Sequence, residues 1–583
     1  MKSFLLGNHH GTKNPFRVPK ASFDTHWHLI GGTGKGKTTA IHTLLHGLLL
    51  DPINEPCVVI VDRMGNLSFE LLAWMASEYC PDFVRDRLVY IEPSREDVVI
   101  GFNPLHYDTQ AHGYYKVSRA AEIILKGWAS QNLEEMPRLG RWLFNSFWAA
   151  AQLGLTISDC IHFLMPGSPY HAQLLNALPE SLRIEWSDLI GTRSAEVSRI
   201  LESTRNRLKP YFESPILRQM FGSTDNRLDM SQFMRNGKIV ILNLAPGNRL
   251  PEQVADAIGG LVINEVLSTA RSLPLGMKYP TYLFLDEFQR FVGPDLESAI
   301  PEMRQLGVKL ILSHQSFSQL ERGDTDLTSL IFQAQSRMIF GVQGEDADLL
   351  AHELASLQFD PRKIKDEWYS RRQRQAGHRL VELESWSDSS SNAENWSKTI
   401  GQNWSHTDQS AMGVIRSRSD SRGSNDGQGE GGAHTTSSSR SKNQQLVPVL
   451  EDYLELATRT YVSFDESLRV WARDIRNLSR GRALVRLVDD SRLYDLDVKR
   501  SAPGHLAWDT ATLRREMPEV YDDVERMIEK NFQSALFTSP QEIEAKQRAR
   551  LQRIVNRPIL YTSSEAQVAS PPPTAVRSAF IDD

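Results

Sequence analysis

Cysteine is scarce in this sequence: Cys57, Cys80 and Cys160 are widely separated, without a C-x-x-C pair. This spacing excludes a disulfide framework and a cysteine-rich zinc site, and it predicts a cytoplasmic protein. Long apolar runs are also missing, since the best candidate, 142–164, is interrupted by polar residues, so we expect no integral membrane segment. With a net charge of -6 the chain lacks a bulk attraction for nucleic acid, and any DNA contact requires a local basic surface.

A glycine-rich segment follows a short apolar run, 27–30, and precedes residues with helical apolar spacing. It satisfies the pattern G-x-x-x-x-G-K-T. Glycines let successive backbone N–H groups face an anion, and the start of the following helix adds the positive end of its dipole. We therefore predict a nucleoside triphosphate site, with Lys37 on the β- and γ-phosphates and Thr38 on Mg²⁺. The predicted phosphate-binding residues are Gly31, Gly32, Thr33, Gly34, Lys35, Gly36, Lys37, Thr38 and Thr39.

A second motif, four apolar residues followed by Asp286-Glu287, predicts the acidic half of the same site. An aspartate at the end of a buried strand can hold the hydration shell of Mg²⁺, and the adjacent glutamate can orient and polarise the attacking water. Gln315 ends the next predicted strand, 29 positions after Asp286, where an amide can sense the γ-phosphate. We predict Asp286 as a metal ligand, Glu287 and Gln315 as catalytic residues, and ATP and Mg²⁺ as cofactors.

Two other charged residues each have two interpretations. Arg304 lies just before the strand that ends at Gln315. It either reaches the γ-phosphate of a neighbouring subunit, as a third catalytic residue, or is an ordinary surface arginine. Asp62 ends the apolar run 57–62, and it either faces a ligand or caps a turn.

The order of the patterns predicts one α/β domain with a doubly wound, mostly parallel sheet, assembled from 22–105 and 236–380. Helical spacing without strand-like runs predicts an all-α insertion over 106–235. We interpret 1–21 as a polar lead-in, 447–535 as a small α+β segment with a helix over 450–457, and 536–583 as a mobile tail. The Ser/Gly-rich segment 381–446 is predicted to be disordered, with a polar hairpin as the alternative.

A basic segment, 362–379, contains Trp368 and Tyr369 among its arginines and lysines. Interleaved aromatic and basic residues are typical of a nucleic-acid contact. The alternative is the solvated face of a helix.

Together these motifs resemble the RecA-like motors of the FtsK–HerA superfamily, and within it the TraG/TraD-type coupling proteins of conjugative type IV secretion. The matching segments are His28–Thr38, Ile60–Asp62, Gly101–Leu105, Ser203–Leu208, Gly237–Leu242, Leu285–Phe288, Arg304 and Ser313–Ser316. The resemblance covers roughly residues 22–360. It implies a homo-hexameric ring that uses ATP to pull DNA through its centre. In this sequence the amino-terminal membrane helices usual in the family are absent, and Arg63-Met64-Gly65 replaces the usual Pro-Lys-Gly.

Three functions are compatible with the motifs. The leading hypothesis is an ATP-driven DNA translocase of the coupling-protein type, with relaxase and secretion machinery as partners. The second is a HerA-like ATPase partnered with a nuclease in end processing or phage defence. The third is a regulatory NTP-binding scaffold in which hydrolysis is incidental.

Overall fold

The computed structural model describes residues 3–51, 53, 55–128, 137–187, 194–245, 250–274, 279–291, 302–322, 325–391, 435–488, 490 and 492–556. The chain divides into two compact units. The larger unit comprises 1–359 and 464–583, and the smaller one comprises 360–463. Among the described residues, none of the helices combines the length and apolar character needed to cross a bilayer.

An 11-stranded sheet organises the larger unit, in the order β2-β1-β16-β15-β12-β3-β9-β8-β4-β7-β5. Its strands are β1 (Ser3–His9), β2 (Pro15–Pro19), β3 (Trp27–Ile30), β4 (Cys57–Asp62), β5 (Leu88–Ile91), β7 (Ile239–Asn243), β8 (Thr281–Leu285), β9 (Val308–His314), β12 (Ser336–Ile339), β15 (Arg482–Arg486) and β16 (Leu493–Val498). The seven strands from β12 to β5 are mutually parallel. The predicted mostly parallel α/β fold is confirmed.

Burial on both faces explains why the parallel strands are continuous apolar runs. Every residue of β4 and β8 is buried, and helices cover both sides of such a sheet. Short strand pairs lie outside the main sheet: β6 (Val99–Ile100) with β17 (Phe537–Thr538), and β10 (Glu321–Arg322) with β11 (Thr325–Asp326). Because the seven strands are parallel, the residues that follow their carboxyl ends collect at one edge of the sheet.

The four antiparallel strands correct the interpretation of residues 1–21 as a polar lead-in. β1 and β2 pair with each other, and β1 also pairs with β16. Leu6 and Val18 are fully buried in the core. The alternation of apolar and polar residues is too short here to stand out from the sequence. β15 pairs with β16, and β15 also joins this pair to β12 of the central sheet.

Helices make up the rest of the larger unit. In the first half they are α1 (Lys37–Leu49), α2 (Asn66–Ala76), α3 (Asp82–Arg85), α4 (Gln110–Trp128), α5 (Pro137–Gln152), α6 (Ile161–Leu164), α7 (His171–Ala177), α8 (Glu180–Ser187), α9 (Ser194–Glu213), α10 (Pro215–Met220) and α11 (Met230–Arg235). They continue with α12 (Glu252–Ser272), α13 (Thr328–Ile331), α14 (Glu345–Gln358), α15 (Phe464–Arg476), α16 (Thr510–Glu516), α17 (Pro518–Phe532) and α18 (Pro540–Val555). Every regular element described between 106 and 235 is helical, as predicted from the apolar spacing.

The smaller unit is a long antiparallel hairpin of β13 (Ile364–Ser391) and β14 (Thr435–Tyr461). The helix predicted over 450–457 is wrong, and so is the helical interpretation of 362–379. Leu450, Leu454 and Ala457 have helical spacing, but they lie in a strand, where Glu451 stands opposite Arg374 and Glu455 forms an ion pair with Arg372 at 2.8 Å. The described ends of the serine-rich segment, 381–391 and 435–446, are strands of this hairpin, and 392–434 lie outside the described residues.

We predict that Leu6→Ala destabilises the protein although it lies in the supposed lead-in. Truncating a fully buried leucine typically costs about 2–5 kcal/mol, because contacts are lost and a cavity remains. Urea unfolding measures the loss, and Arg17→Ala, an exposed change on the paired strand, is the matched control. Equal stability of both variants would show that the amino-terminal strands contribute nothing to the core.

Candidate nucleotide-binding site

The glycine-rich loop, residues 31–36, lies between the carboxyl end of β3 and the first residue of α1, and we call it the phosphate loop. Gly34 and Gly36 have φ angles of 73° and 114°, values that residues with a Cβ atom rarely adopt. Gly36 is the N-cap of α1, and no side chain of the described residues caps this helix start. The first N–H groups of α1, including those of Thr38 and Thr39, therefore lack a side-chain acceptor among the described residues, and N–H groups in this position can bind an anion.

Backbone contacts hold the loop from both sides. The N–H of Gly32 donates to the carbonyl of Gly341 at 2.9 Å, and the N–H of Gly31 donates to the carbonyl of His314 at 3.4 Å. The side chain of Lys35 is directed away from the loop, because its Nζ donates to the carbonyl of Leu478 at 3.1 Å. The ammonium of Lys35 thus contacts the carboxy-terminal region, and the place of Lys35 among the phosphate-binding residues stays a prediction.

The carboxy-terminal turn beside the loop was missed by sequence reasoning. The N–H of Gly481 donates to the carbonyl of Lys35 at 2.8 Å. A Cβ added at Gly36 would lie 3.2 Å from the Cα of Gly481, so the two backbones touch here. No local pattern signals a contact between residues that are more than 400 positions apart.

Lys37 is buried at the start of α1, and its Nζ donates to the carbonyls of Gly31 and Gly32. Burial lowers the pKa of Lys37, and the charges of Glu287 and Asp286 oppose that shift. The ammonium therefore lies within the loop and within electrostatic reach of the acidic pair.

Asp286 follows the carboxyl end of β8, which pairs with β4 and β9 in the middle of the sheet. Its pKa is raised to about 6, first by burial and then by the neighbouring carboxylates of Asp62 and Glu287. A divalent cation would relieve this concentration of buried negative charge. Among the described residues no group of three or more His, Cys, Asp or Glu could hold a metal ion, and Thr38 and Asp286 as Mg²⁺ ligands stay a prediction.

Glu287 has a φ of 52°, the one positive value found among the described non-glycine residues. Its two carboxylate oxygens each accept a hydrogen bond of 2.5 Å, one from Nε2 of Gln315 and one from Nε2 of Gln289. Oε1 of Gln315 in turn accepts the hydroxyl proton of Thr33 at 2.8 Å. Gln315 thus connects the phosphate loop with the acidic pair, while sequence reasoning missed Gln289 because no motif marks it.

Asp62 caps a turn, which is one of its two sequence interpretations. Its carboxylate accepts the backbone N–H groups of Met64, Gly65 and Ser68 at 3.0, 2.9 and 2.6 Å. These bonds fix the loop after β4 at the same edge of the sheet. The carboxylate is buried and adds negative charge near Asp286.

Arg304 is not brought to this site within one chain. It precedes β9, and its Nε donates to the carbonyl of Asp24, which precedes β3, at 3.1 Å. Both residues lie before the amino ends of parallel strands, whereas the phosphate loop, Asp286 and Gln315 follow carboxyl ends. Arg304 is therefore at the edge of the sheet opposite the candidate nucleotide site of its own chain.

A protein-family profile described as the TraM recognition site of TraD and TraG matches residues 280–451. This segment resembles TraD and TraG. It contains Asp286, Glu287, Arg304 and Gln315, so the TraG/TraD resemblance predicted from the motifs is confirmed by a comparison that includes them. No curated protein matches the chain.

Solved structures of several proteins are similar to this chain. Unbound TrwBdeltaN70, a bacterial conjugative coupling protein, is 16% identical, with a TM-score of 0.45 and coverage of 83% of this chain and 87% of that chain. TrwB in complex with ADP and Mg²⁺ is 16% identical, with a TM-score of 0.46 and coverage of 87% of this chain and 97% of that chain. VirB4 of Thermoanaerobacter pseudethanolicus is 13% identical, with a TM-score of 0.39 and coverage of 63% and 93%.

The raised pKa of Asp286 predicts that Asp286→Asn stabilises the nucleotide-free protein at pH 8. A carboxyl whose folded pKa lies above its unfolded value binds its proton more tightly in the folded state, so its ionisation opposes folding at high pH. The gain is at most about 3 kcal/mol above pH 6 and about half of that at pH 5. Urea unfolding at both pH values measures it.

Asp108→Asn, at an exposed aspartate, is the matched control for this experiment and should change stability little at either pH. If Asp286→Asn leaves the free energy of unfolding at pH 8 unchanged or lowers it, the ionised carboxylate of Asp286 does not destabilise the nucleotide-free protein.

Proposed function

We propose that this protein is an ATP-driven DNA translocase of the conjugative coupling type, acting as a homo-hexamer in the cytoplasm. The observation that carries the proposal is a series of hydrogen bonds from the phosphate loop to the acidic pair. Thr33 donates to Gln315, and Gln315 donates to Glu287. Lys37 and Asp286 complete the set of groups required for phosphoryl transfer to water. The TraD and TraG resemblance of residues 280–451 supports the coupling-protein assignment.

The residues of the site have distinct roles in ATP hydrolysis. Backbone N–H groups from Gly34 to Thr38 bind the β- and γ-phosphates, and Lys37 neutralises charge between them. Thr38 and Asp286 would hold Mg²⁺, which when bound would stabilise negative charge on the phosphate oxygens. Glu287 orients the attacking water and polarises it toward the γ-phosphorus.

Gln315 is suited to report the γ-phosphate to the rest of the protein. It bonds both the tip of the phosphate loop and the catalytic carboxylate, so a phosphate that displaces either contact changes the other. It also follows β9, whose neighbours β3 and β8 hold the two halves of the site. Loss of the γ-phosphate would then move elements of the sheet relative to one another, as in other nucleotide switches.

In a ring, a neighbouring subunit would supply the arginine that a single chain does not bring to its own nucleotide site. Arg304 is exposed, at the edge of the sheet opposite its own nucleotide site. In a head-to-tail ring that edge of one subunit faces the nucleotide edge of the next. Arg304 would then stabilise the charge that develops on the neighbour's γ-phosphate during hydrolysis.

DNA and a recognition protein are the proposed macromolecular partners. Because the chain is acidic overall, DNA binding would depend on local basic surface, such as a lumen that forms on assembly. The family profile over 280–451 describes a TraM recognition site, and we assign this segment to docking a protein of the relaxase and secretion machinery. Delivery of a DNA–protein complex to a secretion channel is the process that such a motor would drive.

Glu287→Gln should lower the DNA-stimulated turnover of ATP at least about 100-fold and leave ATP binding intact, because only the activation of water is removed. Steady-state hydrolysis with and without DNA, together with equilibrium ATP binding, tests this. Glu516→Gln, at an exposed glutamate, is the matched control. Wild-type hydrolysis that shows neither DNA stimulation nor DNA binding at low salt would refute the motor; normal function of Glu287→Gln would support the scaffold hypothesis instead.

Mixing two inactive variants tests the role of Arg304 in trans. Lys37→Ala subunits lack a working nucleotide site but retain Arg304, whereas Arg304→Ala subunits retain the site and lack the arginine. If Arg304 acts on the neighbour, mixed rings regain a fraction of the wild-type ATPase rate at interfaces that pair an intact site with an intact arginine. Mixtures no more active than their components would exclude this role, and so would full activity of Arg304→Ala alone.

A further inference from the structure

Both oxygens of the Glu287 carboxylate are already bonded in this structure, and the two donors differ in kind. Gln315 comes from another strand and also contacts the phosphate loop through Thr33. Gln289 lies two residues after Glu287, in the short 3-10 helix Phe288–Phe291. Its contact is therefore local and does not depend on the loop.

The burial of Gln289 indicates that this contact is the reason for an amide at this position. Its side chain is almost fully buried, with 4% exposure. Within the part of the chain that the structure describes, its Oε1 has no hydrogen-bond partner. Burying an amide with one unsatisfied end costs free energy, and a methionine or leucine would fill the same volume without that cost. The bond from Nε2 to Glu287 is the described interaction that compensates.

Glu287 needs such a restraint because its backbone is strained. Its positive φ is unfavourable for any residue with a Cβ, because the Cβ crowds the following carbonyl oxygen. The conformation directs the carboxylate into the space between Gln289 and Gln315, next to the phosphate loop. Without a local donor, the side chain could rotate while the backbone strain remained.

We propose that Gln289 is a positioning residue that holds the catalytic carboxylate of Glu287 in its working orientation. The inference rests on the proposed ATP hydrolysis by this site. Gln289 keeps its bond to one carboxylate oxygen throughout the cycle. Gln315 releases the other oxygen when it engages the nucleotide, and that oxygen then faces the attacking water.

The test compares Gln289→Met, which keeps the volume and removes the donor, with wild type. We expect a kcat roughly 10- to 100-fold lower, as for a misplaced catalytic group, with KM and ATP affinity within twofold of wild type. Gln547→Met is the matched control, since Gln547, in α18, also donates an amide N–H at 2.9 Å to a carboxylate, that of Asp159 in the insertion. It should leave kcat within twofold.

A second comparison distinguishes positioning from a general structural effect. In a Glu287→Gln background, single-turnover hydrolysis should be equally slow with and without Gln289→Met, because Gln289 acts through Glu287. A further loss in that background would overturn the inference, as would an unchanged kcat in Gln289→Met. If the methionine variant does not fold, as judged by lost ATP binding, Gln289→Asn provides the same test, because its amide is one methylene too short to reach Glu287.

The proposed function can fail separately. If Glu287→Gln hydrolyses ATP at the wild-type rate, the catalytic assignment of Glu287 is wrong and the role of Gln289 falls with it. If Glu287→Gln is inactive while Gln289→Met is fully active, the catalytic assignment stands and the positioning role alone is refuted.

Discussion

The unfavourable concentration of negative charge at the end of β8 is the constraint on which the site depends. Asp286 is partly buried beside Glu287 and near Asp62, and its pKa is raised to about 6 in consequence. Lys37 is a cation near these carboxylates, and burial lowers the pKa of its ammonium. Neither charge is well solvated, so the free site favours a ligand that carries both positive and negative charge. A magnesium–triphosphate complex is such a ligand, and its binding would stabilise both groups.

The sheet makes this concentration of charge possible. Seven parallel strands bring the phosphate loop, Asp62, Asp286 and Gln315 to one edge, although they are distant in sequence. The same rule places Arg304 at the other edge. One chain therefore has the proposed nucleotide site at one edge and an exposed arginine at the other, which is the polarity that a head-to-tail ring requires. The carboxy-terminal strands extend the sheet, and the turn at Leu478–Gly481 braces the loop.

The sequence was sufficient for those features that are encoded locally. The phosphate loop needs glycines at fixed positions, and buried parallel strands need continuous apolar runs, so both are visible without a structure. Features that depend on distant partners were not predictable. Gln289 becomes informative only once Glu287 is seen to face it, and Lys35 only once Leu478 lies beside it. In the hairpin, Leu450, Leu454 and Ala457 mimic a helix because the pairing of their charged neighbours with β13 decides the outcome.

The most direct test of the account is a structure of the protein with Mg²⁺ and a non-hydrolysable ATP analogue. The account predicts the β- and γ-phosphates against the N–H groups from Gly34 to Thr38 and Nζ of Lys37, with the metal ion between the Thr38 hydroxyl and Asp286. It also predicts the Glu287 carboxylate on the γ-phosphate side, still bonded to Gln289. A nucleotide bound elsewhere, or an acidic pair directed away from its phosphates, would contradict the account.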